Sequence, residues 1–134
     1  MIFLTRENII HVNKRITAPD IGGLFVEPEN LLNPESLEWL IEAVEDNLFG
    51  KSLYPDEYSK AASYAFHIIK KHIFNDGNKR TAIASTIAFL RQNGYTRSQE
   101  ISSDELTNFA LDIESDKLKF DDIVDWIRGH FEQI

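Results

Sequence analysis

His72-Ile73-Phe74-Asn75-Asp76-Gly77-Asn78-Lys79-Arg80-Thr81-Ala82 sets dense polar chemistry between two unusually apolar runs. Upstream, Tyr58 to Ile69 carries Ala61, Ala62, Ala65, Phe66, Ile68 and Ile69 on nearly every side, the pattern of a buried helix. Downstream, Ala82 to Leu90 is almost wholly apolar or small, interrupted only by Ser85 and Thr86. A turn between two buried helices that holds an imidazole, a carboxylate, an amide, an ammonium and a guanidinium is costly unless each group has a partner. We therefore read it as a phosphate site.

Working outward, Thr5 predicts a helix cap, with Glu7 in the first turn and Ile9, Val12 and Ile16 as an apolar stripe ending near Thr17. Ala18 to Leu32 holds Pro19, Gly22, Gly23 and Pro28 without a sustained period, which predicts a long loop that is either a surface connection or functional. Asn33-Pro34-Glu35 predicts the next helix start, with Leu37, Leu40, Ile41, Val44 and Leu48 inward and Gly50 as the stop. The helix after the motif should begin around Gly77 to Asn78 and end at Asn93-Gly94. Ser103-Asp104-Glu105 predicts the cap of a fifth helix, with Leu106, Phe109, Ala110 and Ile113 on one face. Phe120, Ile123, Val124, Ile127 and Phe131 mark a sixth, more weakly capped, with Trp126 near its stripe. No strand alternation, internal repeat or low-complexity segment is evident, so the expected fold class is all-α: a compact bundle of about six helices.

The 134 residues fit one domain, taken as 1–134, with 43% hydrophobic and 27% charged residues, ordinary for a globular chain. A net charge of −8 works against nucleic-acid or anionic-membrane binding, so neither partner is expected. The exception is a local basic patch at Lys70, Lys71, Lys79 and Arg80. The absence of cysteine excludes disulfides and thiol catalysis. No run approaches membrane-spanning length, and Met1 to Arg6 lacks a signal-peptide pattern, which predicts a cytoplasmic protein.

A loop entering a helix presents free N–H groups and the positive end of the helix dipole to an anion. Gly77 should permit close approach, Asn78 should add a side-chain donor, and Lys79 and Arg80 should supply positive charge, Arg80 in a two-oxygen grip. Asp76 would repel phosphate unless a divalent cation lay between them, so Mg²⁺ is the natural third party; the plain alternative is a helix cap. His72 has the chemistry of a general base, against the plain alternative of packing or capping. Phe74 is assigned to the core. Spacing excludes other motifs: the first glycine of a Walker A loop is replaced by His72, and His67 and His72 are not spaced as a helical zinc pair. His11 and His130 are assigned to the surface.

His72-x-Phe74-x-Asp76-Gly77-Asn78-Lys79-Arg80 resembles the signature of the Fic/Doc family, in the variant of death-on-curing (Doc) toxins. The leading helix, Gly22-Gly23, Leu53-Tyr54-Pro55, Asn93-Gly94 and the closing helical pair fall in family-like order. The resemblance implies a helical fold that uses ATP and Mg²⁺ to modify a protein hydroxyl. His72 would be the base, Asp76 the metal ligand, and Gly77, Asn78, Lys79 and Arg80 the phosphate-binding groups, with Lys70 assisting. Most Fic proteins transfer AMP and have glycine where Lys79 stands and a second arginine where Ile83 stands. In the Doc branch the lysine goes with transfer of the γ-phosphoryl group, with a threonine of elongation factor Tu as the implied target and translation arrest as the outcome. Some Doc relatives have a polar residue where this chain has Ala84.

Three functions follow in order: a Doc-type protein kinase, a Fic-type adenylyltransferase, and a catalytically idle nucleotide- or partner-binding module. Many Fic enzymes carry an inhibitory helix, and its pattern has no match here; the nearest segment, Thr96 to Glu100, is followed by Ile101. A separate antitoxin is therefore expected, docked as a helix near the Ala18 to Leu32 loop.

Overall fold

Side chains that satisfy the free N–H groups of helix ends explain where three of the six helices begin. The computed structural model describes residues 1–46, 50 and 52–134. Helix α1, Arg6–Ile16, opens with a reciprocal cap: Thr5 Oγ1 accepts from the Asn8 N–H at 3.1 Å, and Asn8 Oδ1 accepts from the Thr5 N–H at 3.0 Å. Asp56 and Ser59 make the same closure for α3, Glu57–Lys70, and Ser102 and Glu105 make it for α5, Ser103–Glu114. Helix α2, Pro34–Val44, starts on proline. Helix α4, Asn78–Gln92, follows Gly77, and α6, Phe120–His130, has only Asp122 reaching back to the Lys119 N–H.

Helix α3 is the centre, packed by α4, α6, α2 and α5, while α4 also lies against α1 and α5. The small residues Ala61, Ala62 and Ala65 let these neighbours approach, and Tyr64, Ile68, Phe74, Phe89 and Leu90 fill the space between them without solvent exposure. Each such large apolar side chain contributes about 1.5–3 kcal/mol through burial. The all-α expectation of six helices, with the motif between two central buried helices, holds. Among the described residues no helix is long and apolar enough to cross a membrane.

Several expectations change. A two-stranded antiparallel sheet joins β1, Tyr95–Arg97, to β2, Phe131–Gln133, so Phe131 starts a strand rather than extending α6. Three-residue strands are too short to show an alternation, and their pairing spans the length of α5 and α6. The fifth helix is capped by Ser102, one residue before the expected start. Helix α2 ends at Val44, where the Lys60 ammonium donates to the Val44 carbonyl at 2.7 Å and to Asp46 at 3.1 Å; Gly50 is not its stop, and Leu48 lies outside the described residues. The Asn33 side chain does not cap α2 but donates to the carbonyls of Lys71 and His72. Nor is His130 a plain surface residue: it stacks on Trp126, which stacks on Phe109.

Candidate active site

The turn between α3 and α4 is held from beneath by neutral polar groups. Phe74 is fully buried, as expected, and the Asn78 amide brackets it: Oδ1 accepts from the Phe74 N–H at 2.9 Å and Nδ2 donates to the Phe74 carbonyl at 2.8 Å. Asn13 of α1 donates from Nδ2 to the Asp76 carbonyl at 2.9 Å and to Thr81 Oγ1 at 3.1 Å. Asn30 donates to Asn13 Oδ1 at 2.9 Å, and its carbonyl accepts from the Asn75 N–H. Leu32 and Asn33 donate their N–H groups to the Ile73 carbonyl, so the segment before α2 lies along the turn. Asn13, Asn30, Asn78 and Thr81 are all buried, which is tolerable only because these bonds satisfy them.

Two residues expected at the phosphate site have packing partners of their own. The Asn78 side chain is committed to the backbone of Phe74 and faces the protein rather than an anion. Gly77 has φ 80°, and a Cβ there would lie 2.6 Å from the Thr17 methyl group. Its missing side chain makes room for the end of α1.

The outward groups are charged and loosely held. His72 has φ 49°, is exposed, and its imidazole has no hydrogen bond among the described residues. Its position is set through the backbone by Asn33 on the carbonyls of Lys71 and His72. Asp76 is half-buried and accepts the Leu24 N–H on Oδ2 at 3.1 Å, which brings the 18–32 segment to the motif. It does not cap α4: Gly77 occupies that position, and no side chain caps the helix. The first N–H groups of α4 are therefore left for another partner.

The basic residues divide. Lys79 pairs with Glu114 at 3.0 Å, and Lys70 pairs with Asp116 at 2.5 Å while donating to the Glu114 carbonyl at 3.3 Å. The hydrogen bond from Lys70, then its charge, holds the Asp116 carboxyl below the usual carboxylate range. Arg80 is exposed and donates to the Ile16 carbonyl at 3.2 Å. It lines two clefts: an apolar one of about 660 Å³ with Ile83, Ala84, Ile87 and Leu106, and a smaller one of about 420 Å³ with Val12 and Ile21.

No group of three or more His, Cys, Asp or Glu side chains suited to a metal occurs among the described residues. Asp76 is the expected carboxylate donor for a metal here. That donor set fits Mg²⁺, which commonly takes one or two carboxylates and completes its shell with water and phosphate oxygens. His67 stands apart, buried beneath Trp39 and Phe66 with Nε2 2.9 Å from the Tyr54 hydroxyl. Burial, aided by the Lys71 charge, pushes its imidazole down to about 4.

Sequence reasoning missed Asn13, Asn30, Thr17, Glu114 and Asp116. Asn13 left one faint signal: a polar residue one helical turn from Ile9 and from Ile16, inside the apolar face of α1.

The family model described as the Fic/DOC family matches residues 3–90. The protein kinase doc of Escherichia phage P1 is 34% identical over 73 residues, covering 54% of this chain and 56% of that protein. The toxin Doc of Mycolicibacterium smegmatis (strain ATCC 700084 / mc(2)155) is 28% identical over 82 residues, covering 61% of this chain and 63% of that protein. The matches thus span about six tenths of the length of those curated relatives.

Proposed function

Because this chain belongs to the Fic/DOC family, we propose that it is a Doc-type toxin: a cytoplasmic protein kinase that transfers the γ-phosphoryl group of ATP to a hydroxyl of a translation protein. By family resemblance that protein is elongation factor Tu, and the result is translation arrest. The observation that carries this reading is the uncapped N-terminus of α4 with Lys79 and Arg80 in its first turn and His72 at the other end of the same turn. The free N–H groups and the helix dipole favour a polyphosphate there. One relative's name, protein kinase doc, supports kinase chemistry over AMP transfer, as does Lys79 in place of glycine.

In this scheme Lys79 and Arg80 bind the terminal phosphates, and Lys70 adds positive charge beside them. Asp76 would hold Mg²⁺, which when bound offsets phosphate charge. His72 takes the proton of the incoming hydroxyl as its oxygen bonds to the γ-phosphorus, and the bond to the β–γ bridging oxygen breaks to leave ADP. The exposed imidazole, without a hydrogen bond among the described residues, suits a group that must reach a second macromolecule. The packing of α5 and α6 on α3, and the contact of Glu114 with the motif, support reading residues 1–134 as one domain.

An antitoxin acting in trans completes the proposal. The apolar cleft along α4 at Ile83, Ala84, Ile87 and Leu106 has the chemistry for the apolar face of a helix. The smaller cleft, which Ile21 shares with Arg80, is where the 18–32 segment borders it.

The test is to incubate the protein with cell extract and ATP labelled at the α or the γ phosphate. Protein label from the γ position only is the expected outcome. Label from the α position assigns an adenylyltransferase, and label from neither an idle binding module.

A further inference from the structure

One corner of the molecule holds two lysines beside the turn. Glu114 is the last residue of α5, and Asp116, at φ 66°, turns the chain back. Glu114 Oε2 lies 3.0 Å from Lys79 Nζ, while the Glu114 carbonyl and the Asp116 carboxylate both accept from Lys70. Arg80, the other cation in the first turn of α4, has among the described residues only a carbonyl dipole as partner, that of Ile16. An anion arriving at α4 therefore finds Arg80 opposed by no carboxylate of the described residues, whereas Lys79 must first leave one. The pair is half-exposed, 42% for Lys79 and 50% for Glu114. Such pairs are weak and exchangeable. A phosphoryl group with nearly two negative charges competes well with a single carboxylate for an ammonium.

We infer that Glu114 is a positioning residue that parks Lys79 on the α5 side and gives it up to the terminal phosphate of a nucleoside triphosphate, so that it sets how strongly the site prefers triphosphate over diphosphate. The inference rests on the polyphosphate reading of the turn. Its consequence is asymmetric. A triphosphate must break the Lys79–Glu114 pair to reach Lys79, and this reduces its net gain. A diphosphate, lacking the γ group, leaves the pair intact. Removing the carboxylate should therefore help ATP and leave ADP nearly unchanged.

The experiment is calorimetric titration of Mg·ATP and Mg·ADP into wild type, Glu114→Gln, Lys79→Met, the double variant, and Asp125→Asn. The last removes one charge from α6, where Asp125 pairs with Arg128; thermal melts confirm that each is folded. Glu114→Gln should tighten ATP about three- to fivefold, the scale of an exposed ion pair. It should change ADP less than about twofold by the same scale, have no effect in the Lys79→Met background, and have no counterpart in Asp125→Asn. Unchanged or weaker ATP binding by Glu114→Gln would overturn the inference while wild-type ATP binding preserves the kinase proposal. Equal tightening of ADP, or tightening that persists without Lys79, would also overturn it, since either reduces Glu114 to general charge. Absence of ATP binding in wild type and Glu114→Gln alike would overturn the polyphosphate reading, and the inference with it.

Discussion

The two faces of the α3–α4 turn solve opposite problems with neighbouring residues. On the inner face, Asn13, Asn30, Asn78 and Thr81 are buried, uncharged and bonded to backbone or to one another. On the outer face, His72, Lys79 and Arg80 are ionisable, at least partly exposed, and held by single surface contacts or none among the described residues. Neutral groups can be buried at little cost once paired, whereas a buried charge needs a partner it can hardly leave. The difference separates residues that fix the turn from residues free to change partners. Inner substitutions should lower stability, and outer ones should lower activity.

The largest effect that would break this division is at His72. His72→Ala should reduce single-turnover phosphoryl transfer roughly 10²- to 10⁴-fold while the melting temperature stays near that of wild type. A folded variant that transfers at the wild-type rate would remove His72 from the chemistry. Gly77→Ala tests the inner face: positive φ and a Cβ 2.6 Å from the Thr17 methyl should destabilise the protein by roughly 3 kcal/mol. Denaturant unfolding measures it, and a loss within error would mean that α1 moves aside freely.

His67 sharpens the rule that inward polar groups stay uncharged. Its folded value of about 4 lies below the ordinary 6.5, so the unfolded chain takes up the proton first. Stability present above pH 6.5 should therefore fall as pH drops toward 4, by about 3 kcal/mol. The pH dependence of melting in wild type and His67→Gln checks this: the variant should show the flatter profile. The smallest effect is expected at Lys79, where Lys79→Ala should change stability by less than about 1 kcal/mol yet impair transfer. A large stability loss there would move Lys79 to the inner, structural class.

Those two classes were not equally visible in the amino-acid order. Thr5 with its partner three residues on, Pro34 and Gly94 are local signals, and they placed helix ends to within a residue or two. The motif from His72 to Arg80 is equally local, so the outer face could be named from the sequence. The inner face could not: Asn13 meets Asp76 across 63 positions, and Asn30 meets Asn13 across 17. Asparagine carries no sign of which distant carbonyl it will reach. Glu114 was hidden for the same reason, 35 positions from Lys79 in a helix read only for its apolar face. Asn33 misled because a residue suited to capping its own helix was used to hold the end of another.

Asn93 and Gly94, at the far end of α4 from the motif, gather both ends of the described chain. The Asn93 side chain exchanges two hydrogen bonds with the backbone of Ile2, at 2.7 and 2.8 Å, and the Ile134 N–H donates to the Gly94 carbonyl at 2.8 Å. Helix α4, of 15 residues, separates that junction from the turn by about 22 Å at 1.5 Å per residue. A fluorophore or surface linker attached at Met1 or Ile134 would thus report on, or immobilise, the protein without crowding the motif.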